Sequence, residues 1–563
     1  MISLEQLRRT LATPTTSIQL SLLGLVGGTI AALLIILFRL SIEKLQFFIT
    51  NNFDDFSQLD NIERFALPVI GAVMIAIFAD FTGYKHYRLG IPFVMHRIKT
   101  RYGLMPLWNT VNQFVGGVIA LVCGFSVGRE GPSVHLGAAG SSLLGNRLKL
   151  PYNSIRTLVG CGIAAAIAAS FNTPLAAVIF VMEVVLREYK IHIFIPVMLS
   201  AFIGALVTRF VFGDTYEFNL LHVVPLPGIH YPYLVLCGIL FGAVAYAFNK
   251  NLMIIIKTFR PLSMFPRLLL AGLITAFVGY FVPQALGSGM GAIQFAVSEP
   301  GNTQLLLTIF IGKLLATLFA LGLGIPGGLI GPIFGLGIVL GTLLSALTPY
   351  FSADVNVAGT YAVIGMAGLM AAVLHAPLAA LVAVMELTYS PAIIAPAMLV
   401  IVSAYITASQ FFNNRSIFLQ QLDYQKLSYQ VSPAISVLQK YGVLAKLATN
   451  NKVIDNADDL EVRHYLQTLD SDQQLIIRDT FEMGVEYRLA EYDVQLGTTD
   501  ATPVKYWPLQ GINSQSTLAE AYELLHEKRD GAVYVYHDNV ENFIGIIRWD
   551  QVRSILTQRS DLL

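Results

Sequence analysis

The sequence predicts a polytopic α-helical membrane protein with an internally duplicated core, followed by a small α/β domain. Three observations carry that expectation. First, 55% of the 563 residues are hydrophobic and 13% charged, and the apolar density is confined to residues 17 to about 411, unlike an ordinary soluble globule. Second, Gly128-Arg129-Glu130-Gly131-Pro132 is matched about two hundred residues later by Gly328-Leu329-Ile330-Gly331-Pro332, and a long apolar segment follows each. Third, residues 168–183 and 371–386 align without a gap, nine of sixteen identical, both containing Pro-Leu-Ala-Ala and ending in Val-Met-Glu. Membrane proteins built from internal repeats place their sites where the halves meet.

Residues 1–16 form a polar segment assigned to the cytoplasm. Arg8 and Arg9 precede the first span, which favours that orientation by the positive-inside rule. The segment lacks the short apolar core and cleavage site of a signal peptide. The first membrane repeat is assigned to 17–211 and the second to 212–420. The apolar runs 17–40, 65–80, 107–126, 157–182, 191–212, 233–248, 266–283, 305–323, 333–349, 359–385 and 391–411 are long enough to enter or cross a hydrocarbon core of about 30 Å. Many carry Gly or Pro inside them, as in Gly24-Leu25-Val26-Gly27-Gly28. Non-helical backbone at membrane depth is tolerated only in a protein interior or along a watery cavity, so broken helices point to a pathway. Cys123, Cys161 and Cys237 all lie in apolar runs and read as small buried hydrophobes.

Composition breaks after Phe412, and residues 421–563 are assigned to a cytoplasmic soluble domain, clearest at 505–560. There the order helix (517–527), strand (531–536), turn (537–541), strand (543–547) and helix (550–556) resembles a CBS (cystathionine-β-synthase) module. Residues 432–500 are the place for a first copy, but 456–491 shows no comparable pattern. Residues 1–411 hold 22 basic and 15 acidic groups, a net +7, and residues 412–563 hold 14 and 21, a net −7. An acidic tail argues against nucleic acid as a partner. A cationic membrane part suits both anion attraction and positive-inside topology.

The two Gly-Pro sites carry the chemistry. Proline is favoured just inside a helix start, where its missing N–H would be unpaired anyway. Gly131-Pro132 and Gly331-Pro332 therefore read as helix N-termini, with free N–H groups and a partial positive charge. That makes an anion site with no fixed cation to hold the ion too tightly. Glu130 precedes one of them, and an ionisable group at membrane depth is a functional hypothesis by default. Its carboxylate competes with a mobile anion for the same donors, and protonation releases it. Complementing the helix dipole is the plainer alternative.

Gly128 to Pro132 is identical to the GREGP signature of the CLC family of chloride channels and chloride/proton antiporters. Phe171-Asn172-Thr173-Pro174-Leu175-Ala176 and Ala376-Pro377-Leu378 resemble the segments that follow in each half of that family. Gly328 to Pro332 resembles its GxFxP motif, and Leu89-Gly90-Ile91-Pro92 its GSGIP motif. The likeness covers nearly all of residues 17–420 in the same order. It implies a CLC-type inverted repeat with broken helices, a homodimer with one anion pathway per subunit, and often a cytoplasmic CBS pair. It makes Glu130 the external gating glutamate and proton carrier. The central anion site falls at Leu89, Gly90, Ile91, Arg129, Glu130, Gly131, Leu329, Ile330 and Phe418. The implied setting is a lipid bilayer, that of a bacterial inner membrane, with both termini cytoplasmic; the partners are chloride, other monovalent anions and protons.

Three departures fall on functional positions. Leu89 replaces the GSGIP serine, and Phe418 replaces the tyrosine that supplies the second hydroxyl. Losing two hydrogen bonds of ~1 kcal/mol net each weakens the central site roughly ten- to thirtyfold. Ser416, Tyr87 or Tyr424 are alternative sources of a hydroxyl. The family's paired glutamates become Glu183-Val184, so the usual internal proton-accepting glutamate is absent. Glu188, one helical turn after Val184, is either a substitute proton entrance or a solvated glutamate beside Arg187 and Lys190. Glu183 and Glu386, at equivalent ends of the repeats, read more as caps than as proton carriers. Arg129 either raises local anion concentration or pairs structurally, and His135 reads as a packing histidine.

Antiport with imperfect coupling is the leading expectation, and a passive proton-gated channel, favoured by Val184, its nearest rival. Fluoride export is disfavoured by the intact GREGP. A hydrolase built on Ser126 or Ser133 with His135 lacks a third member, and no metal motif appears. A membrane-anchored sensor is the remaining class. No cofactor is required, although an adenine nucleotide fits the cleft of a CBS pair. There Asp550 either meets ribose or caps the last helix.

Overall fold

A computed structural model describes residues 3–50, 54–83, 89–213, 223–352, 357–430, 432–470, 473–481, 484–492 and 504–557. The chain divides into two compact units. One comprises Ser21–Leu144 and Thr157–Tyr429; the other comprises Met1–Leu20, Gly145–Arg156 and Gln430–Leu563.

Among the described residues the elements of the larger unit are helices. Among the described residues, nine helices are long and apolar enough to cross a membrane, from Ile18–Thr50 to the segment Pro391–Phe411. The duplication seen in sequence is duplicated geometry. The run 157–182 breaks at Asn172 (φ 56°) between the helices Tyr152–Phe171 and Pro174–Phe180. The run 359–385 breaks at His375 (φ 57°) between Ala358–Leu374 and Pro377–Thr388. In both, a left-handed residue ends one helix and a proline at the first position starts the next.

Helices Glu130–Arg147 and Ile330–Ser345 hold equivalent places. The first crosses Tyr152–Phe171 at Gly137 and Gly162. The second crosses Ala358–Leu374 at Gly337 and Gly365, where a Cβ on Gly337 would fall 2.6 Å from the Gly365 carbonyl oxygen. Only glycine lets the backbones approach this closely, as small residues do between membrane helices.

The smaller unit contains a six-stranded sheet in sequential order, β1 (Asn451–Asp455), β2 (Gln474–Phe481), β3 (Gly484–Tyr492), β4 (Val504–Asn513), β5 (Ala532–Tyr536) and β6 (Phe543–Arg548). Strands β1 and β2 are parallel across the helix Asp459–Thr468, and β4 and β5 are parallel across Leu518–Leu525; the remaining pairs are antiparallel. The sheet is thus two β-α-β-β copies joined through β3 and β4. From its helix onward the second copy, with its closing helix Trp549–Thr557, matches the sequence reading, whereas its first strand, β4, was not read from sequence. The first copy occupies the stretch where sequence showed no pattern. Its helix is polar, with Val462 its one fully buried residue, and its strands reach the core through Ile454, Leu475, Ile477 and Ala490.

The N-terminal segment joins this unit. Helix Leu4–Leu11 starts at a Ser3/Gln6 capping box, the Gly442 N–H donates to the Ala12 carbonyl at 2.8 Å, and Ser154 Oγ donates to the Leu11 carbonyl at 2.7 Å.

Candidate anion site between the two repeats

The two Gly-Pro sites meet. Gly128 N–H donates to the Gly328 carbonyl and Gly328 N–H to the Gly128 carbonyl, both at 2.6 Å, a single antiparallel bridge between the repeats. This seats the starts of Glu130–Arg147 and Ile330–Ser345 side by side. Their aligned donors and dipoles therefore converge on one place. Glu130 opens the first helix, is 2% exposed, and directs its carboxylate into that junction. A Cβ added at Gly328 would lie 2.6 Å from Glu130 Oε2, and one at Gly331 would lie 3.0 Å from Oε1. Gly328 leaves no room for a side chain beside the carboxylate, and Gly331 leaves little.

A cavity of about 310 Å³ ends on this junction. Leu89, Gly90, Ile91, Gly131, Leu329 and Phe418 all line it, together with Gly327 and Gly328. Beside Glu130 lies a second, apolar cavity of about 40 Å³, where Ile330 meets Phe171 and Phe334. Residues predicted from four distant stretches of chain thus come to one locus.

Their chemistry differs in detail from the expectation. The Gly90 N–H, expected to face an anion, donates to Gln113 Oε1 at 2.8 Å. Gly90 adopts φ +71°, which turns this N–H toward the buried glutamine. Phe418, on helix Ile417–Gln425, is 2% exposed and gives the cavity an apolar wall where a tyrosine would give a hydroxyl. Of the alternative hydroxyls, Tyr424 lines the cavity, Ser416 stands at the N-cap position of that helix without a side-chain cap hydrogen bond, and Tyr87 lies outside the described residues. Arg129 is buried with its guanidinium 4.8 Å from the Phe171 ring centre.

Glu183 and Glu386 form a reciprocal pair of caps. Glu183 accepts from the N–H groups of Leu378 (3.2 Å) and Ala379 (2.6 Å), and Glu386 from those of Leu175 (3.0 Å) and Ala176 (2.7 Å). Each repeat's final glutamate satisfies the orphan donors at the helix start of the other repeat. Val184 is buried in a π-helical turn, Val181–Leu186, and Glu188 is held by Lys99 (3.3 Å) and Lys190 (2.8 Å). Glu188 is therefore ion-paired rather than freely solvated.

The serine–histidine pairing weighed from sequence is not assembled. Ser126 pairs with Thr317 and Ser133 with Ser170, while His135 stacks on Phe93 and has no hydrogen-bond partner at either ring nitrogen. Among the described residues no cluster of metal ligands exists.

Sequence reasoning missed Gln113, Arg260, Arg267 and Lys313. Lys313 is 1% exposed and donates to Ser126 Oγ and the carbonyls of Ala285 and Gly287. Lys313 and Arg267 are charged residues inside apolar runs, and that was the available signal.

The family model described as voltage gated chloride channel matches residues 69–409. The H+/Cl− exchange transporter ClcA of Yersinia pestis bv. Antiqua (strain Angola) is 30% identical over 373 residues, 62% of this chain and 75% of that protein. The protein of the same name from Salmonella paratyphi B is 28% identical over 447 residues, 74% and 90% of the two chains. Among solved structures, a slow cyanobacterial Cl−/H+ antiporter superposes with a TM-score of 0.61 at 21% identity, covering 74% of this chain and 98% of that one. A eukaryotic CLC transporter gives 0.57 at 19%, covering 94% and 97%. Duplicated helix starts, a shared junction and these likenesses agree: the chain is an integral membrane protein and belongs to the CLC, or voltage gated chloride channel, family.

Proposed function

We propose that this protein exchanges chloride for protons across a membrane, with Glu130 as both gate and proton carrier. The observation that carries the reading is the Gly128–Gly328 bridge, which brings two helix N-termini and one carboxylate to a single point. The ionised Glu130 occupies the place an anion would take. Protonation removes its charge, frees the donors, and lets the anion enter as the carboxyl leaves. One residue then couples the two fluxes without forming or breaking a covalent bond, so the protein is a transporter and not an enzyme. Chloride is the anion named for the Yersinia and Salmonella relatives. The setting proposed is a homodimer in a bacterial inner membrane with both termini cytoplasmic.

A passive proton-gated chloride channel is the second reading. Capping by Glu183, burial of Val184 and pairing of Glu188 leave none of the three as a free internal proton acceptor, and this favours it. The test is proton uptake by proteoliposomes under an imposed chloride gradient, with chloride efflux measured alongside, for wild type and Glu130→Ala. Uphill proton movement lost in the variant supports antiport. Chloride flux without proton pumping in the wild type selects the channel, and no chloride flux in either protein rejects both.

A further inference from the structure

The 310 Å³ cavity carries more positive charge than the anion site at its end requires. Arg267 lines it from helix Met264–Phe281, and Arg260 from the end of helix His230–Phe259. Arg267 is 8% exposed, and its Nε is buried without a hydrogen-bond partner. Its guanidinium lies against Gly324, which closes helix Thr303–Leu323 with φ +97°. The carbonyl end of that helix offsets part of the charge. Among the described residues no Asp or Glu lines the cavity, whereas Gln421, Tyr424 and Gln425 add neutral polar groups. Arg260 itself stacks on Tyr424, 4.9 Å from the ring centre, which holds it at the cavity wall. Two guanidinium groups facing one space without a carboxylate, one of them desolvated, form an electrostatic arrangement that an anion completes.

We propose that this vestibule is a binding site for a tetrahedral dianion of the phosphate or sulfate class, held between Arg260 and Arg267, and that its occupancy blocks anion passage. Planar guanidinium forks match the oxygens of such an ion in pairs, which a spherical chloride cannot reproduce. A charge of two neutralises both arginines at once. The blocking half of the proposal rests on the transport reading above; the binding half does not.

The test is isothermal titration of inorganic phosphate, and of sulfate in parallel, into the purified full-length protein in a chloride-free buffer of fixed ionic strength. It is run for wild type, Arg267→Gln and the more exposed Arg260→Gln. The expected result is saturable binding of both ions, weakened about tenfold or more by either substitution. Absence of binding to the wild type, or equal binding by all three proteins, overturns the site. Chloride efflux is then measured with phosphate on each face of the vesicles in turn. Slowing from one face alone, relieved by Arg260→Gln, supports the block; unchanged efflux from a protein that binds phosphate overturns it. A protein that binds both ions through these arginines yet passes no chloride keeps the site and loses the transport reading.

Discussion

The two helix starts at the junction are near copies in backbone and opposites in chemistry. Gly128 to Pro132 and Gly328 to Pro332 pair with each other reciprocally, and both feed helices that cross their neighbours at matching glycines. One start carries Glu130, and the other carries Ile330 in the same place. Duplication thus supplied two anion-favouring helix ends, and a single side chain made one of them titratable. The caps show the contrary case: Glu183 and Glu386 kept the same residue and the same role in both halves. Where the repeats agree the role is structural, and where they differ at a buried charge we propose a mechanistic one.

The sharpest way to break the comparison is at the bridging glycines. A Cβ at Gly328 would sit 2.5 Å from the Gly131 backbone nitrogen, which cannot yield. One at Gly128 would overlap mainly the Glu130 carboxylate, which can swing away. Gly328→Ala should therefore lower thermal stability, by an overpacking cost of about 1–3 kcal/mol. Gly128→Ala should stay folded and resemble Glu130→Ala in proton uptake. Equal stability losses for the two, by thermal unfolding in detergent, would contradict the geometry.

The next effect concerns the anion itself. Leu89→Ser with Phe418→Tyr restores two hydroxyls to the cavity wall and should tighten chloride binding by roughly ten- to thirtyfold, at ~1 kcal/mol per hydrogen bond. Titration calorimetry reads this directly. An unchanged affinity would mean that these two positions do not meet the ion.

The smallest effect tests the caps. Glu183→Gln and Glu386→Gln each remove a negative charge from a helix start while keeping an acceptor, so each should cost about 1 kcal/mol in stability. The two losses should be alike, because the repeats place the two carboxylates alike. A Glu183→Gln protein that also loses proton coupling while Glu386→Gln keeps it would make Glu183 a proton carrier as well as a cap.

Much of the site was legible beforehand because its signals are local. A glycine-flanked proline marks a helix start wherever the chain goes, and a glutamate within an apolar stretch is costly enough to draw notice. Leu89, Ile91, Leu329 and Phe418 came together as the motif order implied. The use of Gln113 as acceptor for Gly90 was not legible, because nothing in residues 107–126 indicates which backbone donor the side chain meets. Arg267 stands one residue inside the run 266–283 and Arg260 between two runs, near where a basic residue ordinarily marks the membrane boundary, so neither draws notice as a site.

The smaller unit divides along the same line. Its second β-α-β-β copy has an apolar helix face and two β-branched strands after it, and that part of the pattern could be read directly. The first copy's helix buries only Val462 fully, so it has almost no period to detect.

The sequence alone determined a duplicated membrane core, two helix starts suited to an anion, a carboxylate at one of them, and a helix–strand–strand–helix module in the tail. Those follow from composition, local backbone rules and self-similarity, which need no partner segment. Tertiary structure decided that the two starts bond to each other, that each terminal glutamate caps the opposite repeat, and that two arginines face one vestibule. Each is a contact between groups far apart in the chain, and only packing selects which distant donor meets which acceptor.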